Sequence, residues 1–151
     1  MKILVMGLPG AGKTTLADEL ARQLKLPRWN ADEVRTFAND WDFSKEGRDR
    51  QLDRMIWLAE KSLETNKAVI CDFVAPYEEG RKKFNADICI WMDTIKSGRF
   101  EDTNQIFEPP SSCDLRITNF DYQVNSIVGL ILHKINKNIR FDTSYDFAKM
   151  L

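Results

Sequence analysis

The stretch Gly7-Leu8-Pro9-Gly10-Ala11-Gly12-Lys13-Thr14 constrains this chain more than any other, because it matches the phosphate-binding template G-x-x-x-x-G-K-[ST] at every fixed position. Before it, Lys2-Ile3-Leu4-Val5-Met6 reads as a short buried strand; after it, Leu16, Ala17, Leu20, Ala21 and Leu24 recur at helical spacing. Strand, loop and helix arrive in the order a phosphate loop requires. The glycines let backbone N–H groups curl around an anion, and the helix start adds its partial positive charge. That field fits ATP with Mg²⁺. Gly7, Pro9, Gly10, Ala11, Gly12, Lys13, Thr14 and Thr15 are the expected nucleotide-binding positions, with Lys13 on the β- and γ-phosphates and the Thr14 hydroxyl on the metal.

A chain of 151 residues is the size of one domain, and no repeat, low-complexity tract or long linker divides it, so residues 1–151 are read as a single unit. With 22 Lys+Arg against 23 Asp+Glu, no net field draws it to nucleic acid or to an anionic membrane. Phosphate recognition must therefore be local. No apolar run reaches membrane-span length, and Met1 to Met6 leads directly into the loop instead of forming a signal peptide, so a cytoplasmic protein is expected. Cys71, Cys89 and Cys113 are odd in number and sit in apolar runs, which reads as buried reduced thiols. The single histidine, His133, leaves no histidine-based metal cluster, and Trp29, Trp41, Trp57 and Trp91 are scattered as packing residues are.

Strand-like and helix-like stretches alternate along the chain. Pro27 to Asn30 is a short strand, Asp32 to Asn39 a short helix, and residues 40–44 a loop with Ser44 as N-cap of a long helix from Glu46 to about Thr65. Ala68 to Asp72 and Asp87 to Asp93 read as buried strands, Pro76 as the first turn of a helix, and Asp114 to Thr118 as a weaker strand. Val124, Ile127, Val128, Ile131, Leu132 and Ile135 form one face of an amphipathic helix; residues 139–151 read as an irregular tail docking through Phe141, Tyr145 and Phe147. This alternation predicts an α/β P-loop kinase fold, a parallel sheet of about five strands with helices on both faces and its ligand at the carboxyl ends of the strands. Asp32, Asp72 and Asp93 all follow or end strands, so each is placed to face the phosphate loop.

Beyond the loop, the chain resembles adenylylsulfate kinases, which phosphorylate the 3′-hydroxyl of adenosine 5′-phosphosulfate with ATP. Four segments carry the likeness: Gly7 to Thr15; Asn30-Ala31-Asp32-Glu33-Val34-Arg35; Phe43-Ser44 with Arg48 and Arg54-Met55; and Phe73-Val74-Ala75-Pro76-Tyr77 with Arg81. The resemblance implies Lys13 and Asp32 as catalytic residues, Asp32 lying between Mg²⁺ and the acceptor hydroxyl as base or as anchor of metal-bound water. It implies Arg35, Phe43, Arg48, Gln51, Val74 and Ala75 as acceptor contacts, the arginines gripping the phosphosulfate and Phe43 either stacking on the adenine or serving as a core aromatic. Thr14 from the loop motif and Asp32 from the resemblance are metal-directed groups, and Asp72, which the family pattern does not supply, is read as a third.

Departures from the family pattern keep other readings open. Asn30-Ala31 replaces Asp-Gly, losing a carboxylate, and Ala75 stands where the family has serine. Asp72 either restores a metal-directed carboxylate, marks a different acceptor, or is a helix-capping or solvent-facing strand-end aspartate. After Asp93 the family's long basic lid is cut short, leaving Lys96 and Arg99 as its basic residues. A shortened lid excludes water poorly, so slow transfer, ATP hydrolysis or loss of catalysis is expected. The alternatives are a kinase for a nucleoside, a sugar acid or a 5′-hydroxyl nucleic acid end, and a nucleotide-binding module without transfer. Oligomeric state is left open, a dimer included.

Overall fold

The structure, a computed structural model, describes the backbone of residues 1–141 and side chains through Lys137. Five strands, β1 (Lys2–Met6), β2 (Arg28–Asn30), β3 (Val69–Asp72), β4 (Ile88–Met92) and β5 (Leu115–Ile117), alternate with helices. The helices are α1 (Lys13–Leu24), α2 (Ala31–Ala38), α3 (Lys45–Leu63), α4 (Glu78–Phe84), α5 (Glu101–Ile106) and α6 (Val124–Phe141). The strands form one parallel sheet in the order β2-β3-β1-β4-β5, as the alternation predicts.

Apolar runs become central strands because both of their faces must be covered. In β1, Ile3 and Val5 face one side while Leu4 and Met6 face the other, following the period-2 alternation of a strand. The first pair packs with Leu16 and Leu20 of α1 and Ile127 and Ile131 of α6. The second packs with Val34 of α2, Met55 and Ala59 of α3 and Phe84 of α4. With β1 between β3 and β4, the β1 and β3 carboxyl ends open beside the loop that leaves β1, which is where ligands bind in such sheets.

Local chemistry sets the helix starts. Ser44 caps α3 by accepting from the Gly47 amide at 3.2 Å, and Asn30 caps α2 by accepting from Glu33 N–H at 3.0 Å. Pro76 does not open a helix: α4 starts at Glu78 behind Tyr77, because the Pro76 carbonyl is already taken by the Glu108 N–H at 2.8 Å and by Arg81. Helix α5 was not expected from the sequence. Helix α6 runs to Phe141, three residues into the stretch read as a tail; the docking assigned to Phe141, Tyr145 and Phe147 lies outside the described side chains. The cysteines are free, but only Cys71 is buried, while Cys89 and Cys113 are half-exposed. Among the described residues no helix is long and apolar enough to cross a membrane.

Candidate active site

The phosphate loop is held in place before any phosphate arrives. Gly12, the N-cap of α1, has φ +92°, a conformation that costs other residues dearly. Gly7 lies so close to β4 that a Cβ there would sit 2.5 Å from the Met92 carbonyl oxygen. Thr94 Oγ1 donates to the Ala11 carbonyl at 2.7 Å, tying the segment after β4 to the loop. Lys13 Nζ donates to the Leu8 carbonyl at 3.0 Å, and burial pushes its pKa down to about 8 against the pull of Asp72 and Asp32. A lysine so desolvated gains most when an anion reaches it.

Behind the loop, the ends of β2 and β3 form a polar network. Parallel register places Asn30 beside Asp72. Thr14 Oγ1 donates to Asp72 Oδ2 at 3.0 Å, and Asn30 Nδ2 donates to Thr14 Oγ1 at 3.2 Å and to Asp72 Oδ2 at 2.7 Å. Arg28 Nη1 donates to Asp72 Oδ1 at 3.2 Å, and Asp72 is 1% exposed. A hydroxyl has one donor and two acceptor positions. Asp72 takes the Thr14 donor and Asn30 one acceptor position, leaving one lone pair for a cation. Among the described residues no cluster of three acidic, histidine or cysteine side chains could hold a metal. The donor set fits Mg²⁺ bound by a hydroxyl and nucleotide phosphates, the few-protein-ligand manner usual for that ion.

A cavity of about 700 Å³ joins this network to a second wall. Lys13, Thr14, Asp32 and Asp72 line one part; Trp41, Phe43, Arg48, Val74, Arg99 and Phe100 line the other. Asp32, in the first turn of α2, presents an exposed carboxylate to the same cavity. The Phe43 ring lies 4.3 Å from the Arg35 guanidinium and 5.3 Å from that of Arg48. A smaller cavity of about 90 Å³ adjoins, lined by Asp32, Arg35, Gln51, Val74 and Ala75 among others.

All six residues implied as acceptor contacts line this smaller cavity, and Phe43, Arg48 and Val74 line the larger one as well, though several have other work. Arg35 is 4% exposed and donates from Nη1 to the carbonyls of Asp40 at 2.8 Å and Asp42 at 3.2 Å; desolvation lowers its pKa from the ordinary arginine value. Gln51 donates to the Ala31 carbonyl at 2.8 Å and accepts from Arg54 at 3.1 Å, so it fixes α3 against α2. Arg54 itself pairs with Asp40 at 2.5 Å. Ala75 turns the chain with φ +49°, its carbonyl held by Arg81 Nε at 2.8 Å. Arg48 donates to the Phe43 carbonyl at 3.0 Å and from Nη2 to Thr103 Oγ1 at 3.2 Å, bridging the wall to α5.

One expectation is corrected. Asp93 does not face the loop: it accepts from Arg116 Nη2 at 2.5 Å, drawn toward β5 by that guanidinium. Trp41, half-exposed, packs in the loop before α3 with its ring 6.5 Å from that of Phe43, and it also lines the large cavity. Of the lid residues, Arg99 lines the cavity while exposed Lys96 is not part of its wall. Phe100 and Thr103 were not anticipated; a lone aromatic and a lone threonine in a short polar stretch carry no periodic signal. Their segment is closed by Asn104, which accepts from the Gly98 amide at 2.7 Å and donates to its carbonyl at 2.9 Å.

A triphosphate cradle that shares one cavity with an aromatic and basic wall, on a five-stranded parallel sheet, places the molecule in the P-loop kinase fold class. Within that class the chain belongs to the adenylylsulphate kinase family, whose sequence model matches residues 1–94. A probable adenylyl-sulfate kinase of Pseudomonas aeruginosa is 40% identical over 101 residues, covering 63% of this chain and 47% of that protein. The adenylyl-sulfate kinase of Halothermothrix orenii is 38% identical over 82 residues, 50% of this chain and 44% of the relative. The chain spans about half the length of the curated relatives it matches. A hexameric APS kinase from Thiobacillus denitrificans aligns with a TM-score of 0.68 and 26% identity over 91% of this chain and 29% of its own. The Mycobacterium tuberculosis APS kinase in complex with AMPPNP and APS aligns with a TM-score of 0.67 over 90% of this chain and 96% of its own, at 18% identity, a likeness of fold.

Proposed function

We propose that this protein transfers the γ-phosphoryl group of ATP to a small-molecule hydroxyl, with the 3′-hydroxyl of adenosine 5′-phosphosulfate as the acceptor its family membership favours. The observation that carries the reading is Asp32, an exposed carboxylate that lines one cavity together with Lys13, Thr14, Phe43 and Arg48. In this reading the loop amides and Lys13 bind the triphosphate, and Thr14, oriented by Asp72 and Asn30, holds Mg²⁺. The metal would neutralise charge developing on the transferring phosphoryl oxygens. Asp32 orients the acceptor hydroxyl and takes its proton, while Phe43 and Phe100 offer ring faces to a base and Arg48 a planar fork to its oxyanion.

A second acceptor remains in play for a specific reason. Arg35 and Gln51 spend donors inside the fold, which leaves fewer free groups for a phosphosulfate than the resemblance implies. A nucleoside or sugar acid would demand fewer. Labelled ATP with a panel of acceptors decides this, and product from a non-sulfated acceptor alone would reject adenosine 5′-phosphosulfate. Asp32→Asn should abolish transfer yet retain ATP binding by calorimetry; unchanged turnover would remove Asp32 from the mechanism.

A further inference from the structure

Arg28 sits on the edge strand β2 two residues before Asn30, and the chemistry above makes no direct use of it. Its side chain is 17% exposed, with Nη1 donating to Asp72 Oδ1 at 3.2 Å. Asp18 and Glu33 flank the same guanidinium at 3.7 Å each, but they are 71% and 64% exposed, so water screens both. Asp72 is the one buried carboxylate of the three, and its two oxygens have separate duties. Oδ1 meets Arg28; Oδ2 accepts from the Thr14 hydroxyl and the Asn30 amide.

A carboxylate held at one oxygen can swing about its Cβ–Cγ bond, whereas one held at both keeps its plane. The Thr14 proton is similarly free to rotate unless an acceptor stands in a fixed place. We propose that Arg28 is a positioning residue for the metal site. By holding Oδ1 it fixes the Asp72 plane, keeps Oδ2 on the Thr14 proton, and so reserves the remaining Oγ1 lone pair for Mg²⁺ on the bound nucleotide. Outer partners of this kind tune metal affinity without touching the metal. The inference rests on the Mg²⁺–nucleotide site of the proposed function.

The test is calorimetric titration of ADP across a range of Mg²⁺ concentrations, with thermal unfolding of each nucleotide-free variant alongside. In R28M the Mg²⁺ concentration that half-maximally enhances ADP binding should rise about tenfold or more, with metal-free ADP binding unchanged. R28K should recover part of that loss. In a D72N background R28M should add nothing, because Arg28 acts through Asp72. Wild-type Mg²⁺ dependence in R28M, even with a lowered melting temperature, overturns the proposal and leaves Arg28 a role in folding alone. An equal shift in the D72N background overturns it too. Should R28M fail to fold, R28Q is judged by the same criteria. A wild-type protein whose ADP binding ignores Mg²⁺ overturns the metal site itself and this inference with it.

Discussion

Lys13 illustrates how one buried charge ties stability to ligand binding. Burial lowers its pKa from 10.5 to about 8 in the nucleotide-free protein. Between those values the unfolded chain keeps a proton that the folded chain has lost, so this residue's contribution makes stability rise with pH from about 8 toward 10.5. Below pH 8 both states are protonated and the lysine's desolvation penalty is fully felt. Lys13→Met should flatten that part of the stability-versus-pH curve, measured by denaturant unfolding. Phosphate beside Nζ restores the charged form, so ATP binding near pH 8.5 should take up protons, seen as a heat that depends on the buffer's ionisation enthalpy. Phe43, 48% exposed, with the Arg35 and Arg48 guanidinium groups 4.3 Å and 5.3 Å from its ring centroid, lines the large cavity. Phe43→Ala should cost about 1–3 kcal/mol of acceptor binding. The KM for the acceptor would then rise while the KM for ATP holds; equal changes in both would show a structural role instead.

Among the elements, the pairing of β2 with β3 and the closure of α5 matter most. The shared rung of Asn30 and Asp72 means a carboxylate on either strand can reach Thr14. Asp72→Asn should therefore weaken Mg²⁺-dependent nucleotide binding, and the exchange N30D/D72N should recover part of it, since aspartate can also cap α2 as Asn30 does. An exchange variant no better than Asp72→Asn alone would show that the two strand ends are not equivalent. Helix α5 is fastened by Asn104 to Gly98 and by Thr103 to Arg48. Asn104→Ala removes both bonds to Gly98 and a third to exposed Glu101, the first two worth about 1 kcal/mol each. Amide exchange over residues 98–106 should quicken, and ATP hydrolysis without acceptor should increase. Nothing in Glu101–Ile106 announces a helix, because six mostly polar residues show no apolar period; the bond from Arg48 of α3 to Thr103 and the clasp of Asn104 on Gly98 hold it.

The whole molecule depends on two cores separated by the sheet, and α6 closes the one beneath the phosphate loop. Ile131, fully buried among Ile88, Ile90 and Leu16, should lose about 2–5 kcal/mol of stability as Ile131→Ala. The urea midpoint should fall while ADP affinity under native conditions holds; a matching loss of affinity would show that α6 also shapes the nucleotide site. Loop, strands and most helices were legible because their signals are local: glycines at fixed spacing, apolar runs, and periods of 3.6 residues. The phosphate loop is therefore written in Gly7 to Thr15, where glycines at fixed spacing leave backbone amides free at one helix start, whereas the Asn30–Asp72 network on Thr14 needed the pairing of β2 with β3. The acceptor side is different. Asp32, Phe43 and Arg48 could be named from the sequence, but not that Trp41, Phe100 and Thr103 join them, that Arg35 and Gln51 are spent inside the fold, or that Asp93 turns to Arg116. Those outcomes depend on which donors meet which acceptors across strands and loops far apart in the chain, and packing decides that.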